Sequence, residues 1–149
     1  MKKILVLLSA FLLISVVGFS QQITAEKVPA AVKDAFAKKY PAATDVKYEM
    51  AKTDFVVAFK DKEVGMYANF NSRGEWLQTE TIVLESDVPK EVLTSVATNF
   101  VGFIITAVTK LEGPNDVLNY ILDLKKGSEI IEVKFSPKGD VLKKTPVGK

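Results

Sequence analysis

Phe70-Asn71-Ser72-Arg73-Gly74-Glu75-Trp76 and Phe135-Ser136-Pro137-Lys138-Gly139-Asp140-Val141 read as one hairpin written twice, 65 positions apart. Asn71 and Ser136 each start a type I turn, Pro137 has the φ its second position requires, and Gly74 and Gly139 take the left-handed position that forms a G1 bulge. Unrelated loops seldom share turn chemistry at every position. The chain is therefore read as a duplication, and the remaining elements follow from aligning its copies.

Upstream of each hairpin lies a helical pattern. Val28-Pro29-Ala30-Ala31-Val32 recurs as Val88-Pro89-Lys90-Glu91-Val92, 60 positions on. Val28, Val32, Phe36 and Tyr40 form one apolar stripe, and Val88, Val92, Val96 and Phe100 form its copy. Proline in a first turn costs no helical hydrogen bond; Pro41 closes the first helix and Gly102 the second. The apolar period then drops to two. Val46 to Met50, Phe55 to Phe59, Val64 to Phe70 and Glu75 to Leu84 are four strands of the first half. Phe103 to Leu111, Val117 to Lys125, Glu129 to Phe135 and Asp140 to Lys144 are those of the second. The change of offset from 60 to 65 requires about five extra residues near the Gly113-Pro114-Asn115-Asp116 turn.

Short links between strands cannot make parallel crossovers, so the sheet is an antiparallel meander. The expected fold is α+β: a tandem α-β4 repeat forming one large antiparallel sheet with both helices packed on one face. Residues 21–85 make the first repeat and 86–149 the second, within one compact domain.

Residues 1–20 are set apart. Lys2-Lys3 precede an apolar run from Ile4 to Phe19, with small Gly18 and Ser20 where a signal peptidase cuts. The run is 16 residues long, short of the roughly 20 of a spanning helix, so it reads as a cleaved export signal, leaving no stable membrane insertion. No cysteine follows for lipid attachment. Of 149 residues, 129 remain after residues 1–20, and the loss of two lysines leaves 18 basic against 18 acidic groups. A neutral mature chain has little electrostatic drive toward nucleic acid. At that size a hydrophobic core needs no disulfides.

Composition removes most chemistry. With no His and no Cys there is no Ser-His-Asp triad, thiol nucleophile, or imidazole or thiolate metal site. Ser72, on a hairpin tip, is turn chemistry. Neither a Gly-rich phosphate loop nor a paired-carboxylate signature is present, so neither catalysis nor a cofactor is expected. Two acidic turns, Asp61-Lys62-Glu63 and Asn115-Asp116, leave open an alternative reading as a calcium- or small-ligand-responsive envelope sensor.

Strand parity then assigns the faces. Ile131, Val133 and Phe135 alternate with Glu132 and Lys134, so they face the helices, and Met66, Ala68 and Phe70 follow by the repeat. Phe55, Val57 and Phe59 match Tyr120, Leu122 and Leu124 as core, and Trp76 is placed inside beside Phe70. The open face then carries Val56, Tyr67, Leu77 and Ile121 among Ala58, Asn69, Thr79 and Asp123, an amphipathic mixture suited to docking. Val56, Tyr67, Asn69, Leu77 and Thr79 are the candidate partner-binding residues, with Tyr67 the aromatic anchor.

The Val-Pro-x-x-Val helix starts, the Lys39-Tyr40-Pro41 helix end, the Tyr48 strand and the Phe-x-x-x-Gly hairpins together resemble the PepSY-like proteins of Bacteroidetes-type periplasms. These are similar in fold to the beta-lactamase-inhibitor protein. The resemblance spans residues 24–145 and departs at Phe100-Val101-Gly102, which replaces Lys39-Tyr40-Pro41 in the second copy. It implies tandem helix-plus-four-strand units, no enzymatic activity, and binding or inhibition of another protein, such as a protease or other envelope enzyme, through the sheet.

Overall fold

The computed structural model describes residues 21–147; the expected export signal, residues 1–20, lies outside them. The elements run β1 (Gln21–Ile23), α1 (Ala30–Lys39), β2 (Thr44–Ala51), β3 (Asp54–Asp61), β4 (Val64–Phe70), β5 (Trp76–Ile82), α2 (Lys90–Asn99), β6 (Ile104–Gly113), β7 (Val117–Lys126), β8 (Glu129–Phe135) and β9 (Val141–Pro146). A 3-10 turn precedes each helix, at Ala25–Lys27 and Glu85–Asp87. The strands form one nine-stranded sheet whose spatial order is the chain order, and every pairing is antiparallel. The α+β meander expected from the duplication is the fold observed.

Both helices lie on one face. Val32 and Phe36 of α1 are buried with Phe55, Val57, Phe59, Ala68 and Phe70. Val92 and Val96 of α2 are buried with Leu122, Leu124, Ile131, Val133 and Phe135. Thr79, which meets Tyr40 at the end of α1, and Val108, which packs against the α2 core, share a face through the β5–β6 ladder, where Thr79 pairs with Glu112 and Thr81 with Lys110. The core is nonetheless divided. Between the two apolar clusters runs a polar seam of Thr79, Thr81 and a Lys110–Glu112 ion pair of 3.2 Å. The buried Thr81 hydroxyl there has no hydrogen-bond partner among the described residues.

The repeated hairpin is a clasp between sheet and helix. Gly74 has φ +80° and Gly139 φ +86°, the left-handed position the turn requires. A Cβ on Gly74 would stand 2.4 Å from the Ala31 carbonyl oxygen, and one on Gly139 2.4 Å from that of Glu91. Ala31 and Glu91 are themselves counterparts at the 60-residue offset. Each hairpin tip thus seats on the first turn of its own helix, which is why the motif recurs so closely.

A ninth strand, β1, was not expected. Ile23 pairs with Tyr48, while the Val83 amide donates to the Val108 carbonyl at 3.2 Å, and 23 and 83, like 48 and 108, differ by 60. β1 therefore copies the extension of β5, which ends one unit and leads into the next. The five extra residues lengthen the β6–β7 hairpin: both strands have 10 residues against 8 in β2 and β3, and the turn supplies the remaining one. This longer hairpin provides Thr109 to Glu112, the residues that pair with β5 and join the two halves.

Candidate protein-docking face

No described helix covers the second face of the sheet, so its residues are fixed by strand register alone. Cross-strand partners on one face stand close enough to act as a unit. One such row is Lys47, Ala58, Tyr67, Glu80, Leu111 and Asn119; the next is Glu49, Val56, Asn69 and Gln78. Val56, Tyr67, Asn69 and Leu77, together with Gln78, Glu80 and Asp54, line a cavity of about 360 Å³. Four of the five residues singled out from sequence are brought together there. Val56 is only 5% exposed and Leu111 only 6%, so neighbouring side chains bury the middle of this face without help from a helix.

Thr79 is the exception. It is 1% exposed on the helix side, bonded to the Tyr40 hydroxyl and accepting from the Trp76 indole N–H at 2.8 Å. The reason is a bulge: Phe70 pairs with Trp76, but Asn69 pairs with Gln78. Leu77 is therefore an extra residue, and every later position in β5 changes face. Leu77 keeps its expected side, while Gln78 and Glu80 take the place given to Thr79. The same shift separates Phe135–Val141 from Lys134–Lys143. Its trace in the sequence is a pair of adjacent apolar residues, Trp76-Leu77 and Val141-Leu142, opening a strand that should alternate. Trp76 sits on the helix side as expected, half-buried against the α1 core, with the Lys39 ammonium 3.6 Å from its ring centroid.

Electrostatics distinguish the face further. Burial raises the Glu80 carboxyl above its ordinary range, Glu132 adding repulsion, and the Gln78 amide donates to its Oε1 at 2.9 Å. Burial also raises the Tyr67 phenol, assisted by Glu49 and Glu80. Farther along, Asp123 pairs with Glu132, and burial with that neighbouring charge pushes it up to about 6. Its Oδ1 is buried without a hydrogen-bond partner among the described residues. Burial raises Glu132 as well, partly offset by Lys143.

The two acidic turns named in the alternative reading lie at opposite ends of the sheet. Asp61 to Glu63 join β3 to β4, whereas Asn115 and Asp116 cap the β6–β7 hairpin. Among the described residues no three His, Cys, Asp or Glu side chains converge to hold a metal ion. None of the described helices is long and apolar enough to cross a membrane.

Two helices on one face of an antiparallel meander, opposite a face that no described helix covers, define a duplicated open-sheet protein. The chain belongs to the family described as "Putative beta-lactamase-inhibitor-like, PepSY-like", which matches residues 18–68 and 55–143. Solved structures agree in fold. A BLIP-like protein of Bacteroides fragilis is 26% identical with a TM-score of 0.72, over 81% of this chain and 88% of the other. A DUF2874 family protein of Bacteroides uniformis is 21% identical with a TM-score of 0.76, over 80% and 89%. A Bacteroides eggerthii protein described as a candidate periplasmic protein is 23% identical with a TM-score of 0.75, over 80% and 89%. No curated protein matches the chain.

Proposed function

We propose that this chain is an exported, periplasmic, non-enzymatic module that binds another protein through its open sheet face and acts by occluding that partner's surface. One observation carries the reading: Tyr67, Leu77 and the largely buried Val56 line a cavity on the face opposite both helices. An apolar surface rimmed by polar groups is the arrangement of a docking site. The inhibitor-like description of the family and the export pattern of residues 1–20 support the same reading. Tyr67 is the anchor, since an aromatic ring supplies much contact area at little entropic cost. Asn69 and Gln78 supply the adaptable polar contacts, and Thr79 belongs to the scaffold.

The test is capture from envelope extract by the immobilised mature chain. A discrete polypeptide should be retained by the wild type and by Lys38→Ala, an exposed change on α1. It should be lost with Leu77→Asp and reduced at least tenfold with Tyr67→Ala. Equal retention by Leu77→Asp would remove this face from consideration.

A further inference from the structure

The cavity on the open face has a polarity of its own. Its walls are the Val56 and Leu77 side chains and the Tyr67 ring, and its lining carries two carboxylates, Glu80 and Asp54, against one cation, Lys52. Glu80 stands directly across the β4–β5 ladder from Tyr67. Its Oε1 accepts from Gln78, and no lysine or arginine among the described residues forms an ion pair with it. A half-buried carboxylate across the ladder from a tyrosine, with no ion pair among the described residues, is short of a cation. Burial and the Glu132 charge hold its protonation above normal, as expected where negative charge is crowded and unpaired.

From this charge pattern we infer that the cavity receives an arginine side chain from the protein partner. Its methylenes would lie between Val56 and Leu77 while its guanidinium stacks on Tyr67 and pairs with Glu80. Arginine fits better than lysine because its planar fork matches a carboxylate and its flat cation stacks on a ring, whereas an ammonium is a hydrated point charge. About 360 Å³ holds one such side chain with water beside it. The inference rests on the docking-face reading and adds the chemistry of the residue that enters.

A displayed library of random twelve-residue peptides, selected on the mature chain with the Leu77→Asp variant as the subtracting bait, separates the two claims. Folding of each variant is checked by its amide NMR spectrum. Peptides that need Leu77 should be enriched in arginine, and replacing that arginine by citrulline should weaken binding about tenfold. Glu80→Gln should weaken the parent peptide by a similar factor and leave the citrulline peptide nearly unchanged. Leu77-dependent peptides without arginine, or binding altered less than twofold by Glu80→Gln, would overturn the arginine inference while leaving the face in place. A selection yielding no Leu77-dependent peptide would overturn the face and the inference together.

Discussion

The end of α1 and the end of α2 occupy equivalent places and are held by different chemistry. At the first, the Tyr40 hydroxyl meets Thr79 Oγ1, which also takes the Trp76 indole N–H at 2.8 Å, and Lys39 covers the indole ring. At the second, Phe100 replaces Tyr40, Val141 replaces Trp76, and Lys144 stands where Thr79 would be, its ammonium 5.9 Å from the Phe100 centroid. The first copy closes its core with a polar network and the second with an aromatic edge contact between Phe100 and Phe135. The open faces diverge further. Val56, Ala58, Tyr67 and Asn69 correspond to Ile121, Asp123, Glu132 and Lys134, so the first half is aromatic and apolar where the second is charged. Duplication has kept the apolar set packed under the helices and released the opposite face, because only a buried face must fill a fixed volume.

The largest effect should come where the copies agree. Gly74→Ala and Gly139→Ala each place a Cβ against a helix carbonyl at positive φ, and each should cost about 3 kcal/mol, a fall of roughly 10 °C in melting temperature. Scanning calorimetry that finds one substitution harmless would end the equivalence of the halves. Equal losses in a single transition would show that they unfold as one body.

A smaller effect should appear where the copies differ. Thr79→Val strands the Tyr40 hydroxyl and the Trp76 N–H together and should cost about 2 kcal/mol in denaturant unfolding. Lys144→Met, at the matching place in the second half, should change stability by less than about 0.5 kcal/mol. Similar costs at both sites would mean that the polar network has no special weight.

The smallest concerns the charged half of the open face. Asp123 is raised to about 6 from an ordinary 3.8, so the folded state holds its proton more tightly than the unfolded chain. Its contribution is favourable below about pH 4 and is lost as pH rises through 6. Lowering the pH from 7 to 5 should therefore stabilise the wild type. Asp123→Asn should stabilise the protein at pH 7 and flatten that part of the profile. Because the carboxyl is half-exposed, the gain should be under about 1 kcal/mol. Glu80 and Glu132 are raised in the same direction, so the difference between wild type and variant in urea unfolding isolates Asp123. A profile unchanged by the substitution would assign the effect to its neighbours.

Much of the fold was legible because the duplication supplied an internal alignment. The stripes Val28-Val32-Phe36-Tyr40 and Val88-Val92-Val96-Phe100, the hairpin glycines, and the inward sets Phe55-Val57-Phe59 and Ile131-Val133-Phe135 repeat a pattern that burial enforces. β1 leaves no signal of its own because three residues are too short to show a period, although the correspondence of Ile23 with Val83 marks it. Of the open face, the placement of Val56, Tyr67, Asn69 and Leu77 was legible by alternation. Simple alternation puts Thr79 on the open face and Glu80 on the helix side, the reverse of the structure, because alternation counts residues and the bulge at Leu77 adds one that the count does not reveal.

From the order of residues alone came the two units, their helices and hairpins, and the buried face of β3, β4, β7 and β8, since these follow from local periodicity and turn chemistry. Three-dimensional packing decided the rest: the ladder that set Glu80 across from Tyr67, the bulge that moved Thr79 to the helices, and the seam that divided the core. These depend on which strand lies beside which and in what register, a relation between distant segments that no local pattern carries.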